Sequence, residues 1–223
     1  MRHDIAFLHT SPVHVATFSR LMSELAPGLR VAHLVREDLL ADARHEGVDS
    51  PALIARVRDA LAQADARVVV CTCSTLGGIA EDTDTGGAYQ VSRIDRAMAD
   101  QAVRPGGRLL LVAALESTLA PTTALLQSSA AGLGVAVEIE HLVVGDAWAH
   151  FEAGHHAEYI RAIVAAVARA PVAATGSVVL AQASMAPAAE VLAAQGIRAL
   201  TSPRRGVEHA ISLCEASLRA SPP

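Results

Sequence analysis

Short apolar runs alternate along the chain with longer segments in which apolar residues recur at helical spacing. Ile5–Leu8 predicts a strand, Val31–Val35 a second and Arg67–Thr72 a third. Between the first two, Pro12–Ala26 predicts a helix, with Ser11 as its N-cap and Pro12 at the first helical position. Ser50-Pro51 opens another helix that runs through Ala64 and places Ile54, Val57 and Leu61 on one face. The pattern continues with strand Leu109–Ala113, helix Ala120–Gly132, strand Val135–Val144, helix Ala153–Ala168 and strand Ser177–Ala181. Helix Ala186–Ala194, strand Ile197–Leu200 and a last helix from Val207 complete it. Strands that are apolar throughout, with helices between them, are those of a parallel sheet covered on both faces. The chain therefore predicts an α/β fold.

The second half echoes the first. VVVCTCSTLGG, from Val68, matches SVVLAQASMAP, from Ser177, as a valine-rich strand, a small-residue turn and a helix. That match pairs Cys73 with Gln182. IAFLHTSP matches LLLVAALEST as a strand entering a Ser/Thr-bearing loop, and VSRIDRAMADQAV matches LTSPRRGVEHAI, pairing Ser92 with Ser202. A duplication of this kind predicts two similar parallel-sheet lobes related by a pseudo-twofold. Their strand-to-helix turns are expected to face one active-site cleft, because ligands of such sheets sit at the carboxyl ends of the strands. The expected boundaries are 1–97 for the first lobe and 98–206 for the second, with a C-terminal helix, 207–223, packing on the first.

Composition narrows the classes. A net charge of −5 and 3% aromatic residues give neither the electrostatic footprint nor the stacking surface of a nucleic-acid binder. The Ala-rich region Ile163–Ala186 is interrupted by Arg169, Pro171 and Gly176, which makes a poor membrane span, and without a basic start followed by an apolar run no signal peptide is expected. Three cysteines do not make a disulfide framework and point to free thiols in the cytoplasm. The chain has no lysine, which excludes a pyridoxal phosphate Schiff base and a Walker A loop. It also lacks a G-x-G-x-x-G fingerprint, a G-x-S-x-G elbow and an H-E-x-x-H pair.

The remaining candidate chemistry gathers at strand ends. Cys71 lies inside a strand and reads as a small core hydrophobe, as does Cys214 on the last helix. Cys73 stands where the strand gives way to Ser74, Thr75, Gly77 and Gly78. N–H groups at such a turn are expected to surround the thiol, lower its pKa and hold a carboxylate beside it. Cys-x-Cys supplies only two of the roughly four ligands of a metal site, and the histidines are scattered, so no metal is expected. His9, Thr10 and Ser11 end the first strand and are candidates for binding a substrate carboxylate, with Ser11 equally readable as a helix cap. Thr118 occupies the corresponding loop of the second half. Arg93 and Asp95 read as a lobe-joining ion pair, with substrate binding by Arg93 as the alternative.

Cys73-Ser74-Thr75 resembles the first-lobe C-N-T motif of the aspartate/glutamate racemase superfamily, which includes hydantoin racemases, maleate isomerases and arylmalonate decarboxylases. Leu180-Ala181-Gln182-Ala183-Ser184-Met185-Ala186 resembles the second-lobe motifs L-G-C-T-H and L-G-C-A-G-M-A, and the likeness extends over nearly the whole chain to TSPRRGVE. The resemblance implies a cofactor-independent enzyme of two α/β lobes acting at the carbon next to a carboxylate. In the family two cysteines, one per lobe, flank that carbon, and here Gln182 replaces the second. An amide has no useful acid–base pKa, so the expected catalytic group is Cys73 alone. Single-cysteine arylmalonate decarboxylases offer a precedent, although they retain the second-lobe thiol. Ser74, Thr75, Gln182, Ala183 and Ser184 are the residues expected to cradle the small carboxylate substrate. A racemase with a non-cysteine second base and a non-catalytic carboxylate-binding protein are the alternatives, and homo-oligomerisation stays open.

Overall fold

The computed structural model describes residues 2–171 and 176–220. Residues 172–175, inside the Ala-rich region, and 221–223, at the end of the expected last helix, lie outside the described residues. The chain divides into two compact units, Met1–Asp95 with Pro203–Pro223, and Arg96–Ser202.

The first unit holds β1 (His3–His9), α1 (Val13–Leu25), β2 (Val31–Val35), α2 (Glu37–Glu46), α3 (Pro51–Ala62), β3 (Ala66–Cys71), α4 (Gly77–Glu81) and β4 (Gln90–Arg93). Its four strands pair in parallel in the order β2-β1-β3-β4. Alternate residues of the central strands serve opposite faces. Ala6, Leu8, Val69 and Cys71 pack with Leu39 and Ala43 of α2 and Leu53, Val57 and Leu61 of α3. Ser50 caps α3 by accepting the Leu53 N–H at 3.3 Å, as its Ser-Pro start predicts.

The second unit holds α5 (Arg96–Val103), β5 (Gly107–Ala113), α6 (Leu119–Leu133), β6 (Val137–Val143), α7 (Gly145–Glu152), α8 (His156–Arg169), β7 (Ser177–Leu180), α9 (Ala188–Ala194) and β8 (Ala199–Leu200). The strand order β6-β5-β7-β8 repeats that of the first unit, again all parallel. Leu110, Val112, Val178 and Leu180 face α8 and α9, while Leu109, Leu111, Ala113 and Val179 face α5 and α6. The last helix, α10 (Pro203–Ala220), belongs to the first unit. The fold is therefore α/β with two similar lobes.

Several boundaries differ from the expected ones. Pro12, not Ser11, occupies the N-cap of α1, and no side chain caps that helix. The expected helix Ala153–Ala168 starts only at His156, as α8, because Gly154 turns the chain with a positive φ of 74°, and the separate helix α7 that precedes the turn was not expected. The register aligns Val70 with Ser92 and Val179 with Leu200, so Leu200, rather than Ser202, is the counterpart of Ser92. The pairing of Cys73 with Gln182 survives, since each lies two residues past the end of its lobe's third strand.

Candidate active site

β1 and β3 are the central strands of the first lobe, with Leu8 beside Cys71 in register. The next residues of both strands meet at the carboxyl edge of the sheet. Cys73 is half-buried there. Its sulfur accepts hydrogen bonds from the Thr10 and Thr75 hydroxyls and from the N–H groups of Thr75 and Leu76. Burial nevertheless pushes the Cys73 thiol up, and the four donors only oppose that rise. The expectation of a lowered thiol pKa is thus corrected: desolvation of the thiolate outweighs the turn's donors in the ligand-free protein. Ser74 and Thr75 are buried within the same turn. Cys71 is fully buried in the core, and its Sγ donates to the Cys73 carbonyl at 3.6 Å. Burial pushes its thiol up as well.

His9 is withdrawn from the substrate-binding set. It is fully buried, with Nδ1 2.9 Å from Thr72 Oγ1 and Nε2 2.9 Å from His33 Nδ1. His33 Nε2 in turn lies 3.0 Å from Ser19 Oγ. The proton order follows from Thr72, whose hydroxyl donates its one proton to Leu8 O at 3.1 Å. His9 Nδ1–H must then donate to Thr72, His33 Nδ1–H to His9, and Ser19 to His33. His9, expected at the end of β1 as a binder of a substrate carboxylate, has both ring nitrogens engaged in this hydrogen-bonded row instead. His33 and Ser19 escaped sequence reading because they sit on β2 and α1, and only the register of β1 beside β2 aligns Phe7 with His33. Ser11 is half-buried, and its carbonyl accepts from His14 N–H at 3.4 Å.

In the second lobe, Gln182 lies two residues after β7, as Cys73 lies two residues after β3. Gln182 Oε1 accepts the Ala114 N–H at 2.7 Å. Ala114 follows β5 as Thr10 follows β1, so both side chains bond the end of the neighbouring central strand. Ala183 and Ser184 begin a 3₁₀ turn, Ala183–Met185, with Ala183 buried and Ser184 half-buried. Ser184 Oγ lies 2.8 Å from the hydroxyl of Tyr159, a buried α8 residue that the sequence analysis passed over. Thr118 is buried at the N-cap of α6, whereas Glu116 in the same turn is exposed. Thr10, Cys73, Ser74 and Thr75 thus come together in the first lobe, and Gln182, Ala183 and Ser184 share the matching turn of the second. Among the described residues no group of three or more His, Cys, Asp or Glu side chains is placed to hold a metal ion.

Arg93 ends β4 and pairs with Asp95 through Nε–Oδ1 at 2.6 Å and Nη2–Oδ2 at 3.1 Å. Both side chains are buried and both lie in the first unit, so the pair braces that lobe rather than joining two.

No protein-family model and no curated protein matches the sequence. Solved structures share its fold. Glutamate racemase from Francisella tularensis in complex with D-glutamate superposes with a TM-score of 0.70 at 13% identity, covering 100% of this chain and 84% of that one. Aspartate racemase from Picrophilus torridus gives 0.68 at 10% identity, covering 96% and 93%. A cysteine variant of arylmalonate decarboxylase gives 0.55 at 17% identity, covering 95% and 93%. The two-lobed fold of this chain is that of the glutamate and aspartate racemases. Arylmalonate decarboxylase and the allantoin racemase of Pseudomonas fluorescens share it. No helix among the described residues is long and apolar enough to cross a membrane.

Proposed function

We propose that the chain is a cofactor-independent member of the aspartate/glutamate racemase superfamily that acts at the carbon next to the carboxylate of a small acid, with Cys73 as its one acid/base thiol. The observation that carries this reading is the asymmetry of the two matching turns. One presents a half-buried thiol among four donors, and the other presents an amide whose oxygen is already engaged by Ala114 N–H. No cysteine lies between Arg96 and Ser202, so the second lobe has no thiol to offer.

In the proposed reaction the Cys73 thiolate removes a proton from the carbon beside the carboxylate, leaving negative charge on an enediolate. Donors of Ser74, and those of Thr75 as the sulfur takes up the proton and releases them, stabilise that charge as it develops. The thiol then returns the proton to the same face. Inversion needs an acid on the opposite face, and Gln182 is neither acid nor base near neutral pH. The reactions open to such a site are one-sided: isomerisation, or decarboxylation with protonation. The unpaired cysteines fit a reducing cytoplasm.

The test is to incubate wild type, Cys73→Ala and Gln182→Cys with single enantiomers of small carboxylic acids in D₂O. Deuteration is followed by NMR and configuration by chiral chromatography. Wild type should wash in deuterium with retention, Cys73→Ala should not, and Gln182→Cys should gain inversion. Efficient inversion by wild type would show that a second base exists and end the one-thiol mechanism. The burial that pushes the Cys73 thiol up in the ligand-free protein favours a second reading, a carboxylate-binding protein without turnover. Tight binding with no exchange in any acid would select it.

A further inference from the structure

The Cys73 turn rests on a buried cation. Arg93 is 3% exposed, at the end of the strand that pairs with β3, and in register with Cys71. Ile94 N–H donates to Cys71 O at 2.9 Å, so the backbone on either side of the two residues is locked. The guanidinium then extends under the turn. Its Nη2 reaches Ser74 O at 3.4 Å, while Nε and Nη2 are held by the Asp95 carboxylate. Gly77 lies against it so closely that an added Cβ would stand 2.7 Å from Nε and 2.8 Å from Cζ. Burial works against the guanidinium charge, and Asp95, with Glu81 of α4 behind it, more than restores it. Gly77 is therefore explained by the need of the α4 start to lie flat on a planar cation.

The geometry points to Arg93 as a positioning residue for Cys73, holding the Ser74–Gly77 segment so that the Thr75 and Leu76 N–H groups aim at the sulfur. This rests on the reading of Cys73 as the active thiol, but its test needs no substrate. Arginine suits the place where lysine would not. Its planar fork binds Asp95 through two nitrogens while one flat face supports Gly77, and an ammonium offers neither feature.

The thiolate is favoured by the donors that point at it. Loosening the turn should therefore move the pH profile of Cys73 alkylation upward by about one unit, which slows labelling at neutral pH by about tenfold. The experiment is mass-mapped iodoacetamide labelling of native wild type, Arg93→Lys and Gly77→Ala between pH 6 and pH 10. Gly77→Ala leaves the Arg93 and Asp95 side chains in the protein but forces the guanidinium and the turn apart. Cys71 and Cys214, both fully buried, report unfolding in the same samples. The proposal expects both variants to shift the Cys73 profile upward while Cys71 and Cys214 stay protected. An unchanged profile in Gly77→Ala overturns it. If Arg93→Lys exposes all three cysteines, Gly77→Ala decides alone. If both variants expose all three, Arg93 serves stability only and the proposal fails. A profile that shifts as expected in a protein that exchanges no substrate proton would leave the positioning role standing and remove the proposed reaction.

Discussion

At the residue scale, Cys73 is governed by two opposed effects. Desolvation holds the thiol protonated, and Thr10, Thr75 and the turn's N–H groups favour its ionised form. Thr10 was expected to bind a carboxylate, yet its hydroxyl is directed at the sulfur. Thr10→Val should remove one donor without leaving a new buried polar group, since valine replaces the hydroxyl with a methyl of similar size. Cys73 alkylation at pH 7.5 should fall by roughly three- to tenfold, in line with the net contribution of one ordinary hydrogen bond, and its pH profile should move upward. Labelling rates by mass spectrometry check this, and an unchanged rate would place the Thr10 hydroxyl outside the thiolate's donor set.

At the scale of elements, α10 shows how a helix position can invert the usual rule. Gly206 lies inside α10, where alanine would ordinarily stabilise by up to about 1 kcal/mol. Here an added methyl would overlap the Ile94 carbonyl and side chain, because the helix backbone lies directly on the segment that follows β4. Gly206→Ala is expected to destabilise by roughly 1–3 kcal/mol through overpacking. Urea unfolding followed by circular dichroism gives the sign, and a gain in stability would mean that α10 can move off Ile94 at no cost. The element reading from sequence succeeded where apolar runs or caps were strong, as in β1, β3, β5 and the Ser-Pro start of α3. It passed over α2, although Glu37 and Asp38 in its first turn, Arg44 and His45 in its last and Gly47 at its end are ordinary helix signals.

At the scale of the whole molecule, the buried histidine row makes stability depend on pH. Burial, followed by the nearby His33 and His14, lowers His9 to about 3. Burial lowers His14 to about 4 and also lowers His33. The folded protein therefore holds these rings neutral, while the unfolded chain protonates them below about pH 6.5. Their contribution is fully present above that pH and is lost as pH falls from about 6.5 toward 3–4. The slope is up to about 1.4 kcal/mol per pH unit for each ring, so His9 alone removes about 2 kcal/mol by pH 5. Asp4 and Asp38, held low first by hydrogen bonds from Arg30 and Arg36, act in the same direction only below about pH 4. Urea midpoints should fall between pH 7 and pH 5, and His9→Phe should flatten that dependence. Equal midpoints at both pH values would contradict the neutral row.

The sequence by itself determined the class of fold. Uniformly apolar strands separated by amphipathic helices have one economical solution, a parallel sheet covered on both faces, and the repeated strand–turn–helix pattern doubled it. It also singled out Cys73 and its counterpart Gln182, because both follow directly from strand ends that the valine runs mark. Only the tertiary structure decided what the neighbouring side chains do. Strand order and register carry that information, since they juxtapose residues far apart in the chain. They direct Thr10 to the sulfur, commit His9 to His33 and Thr72, and place Arg93 beneath Gly77. A buried polar group is satisfied by whichever partner the packing supplies, and local sequence cannot state that partner.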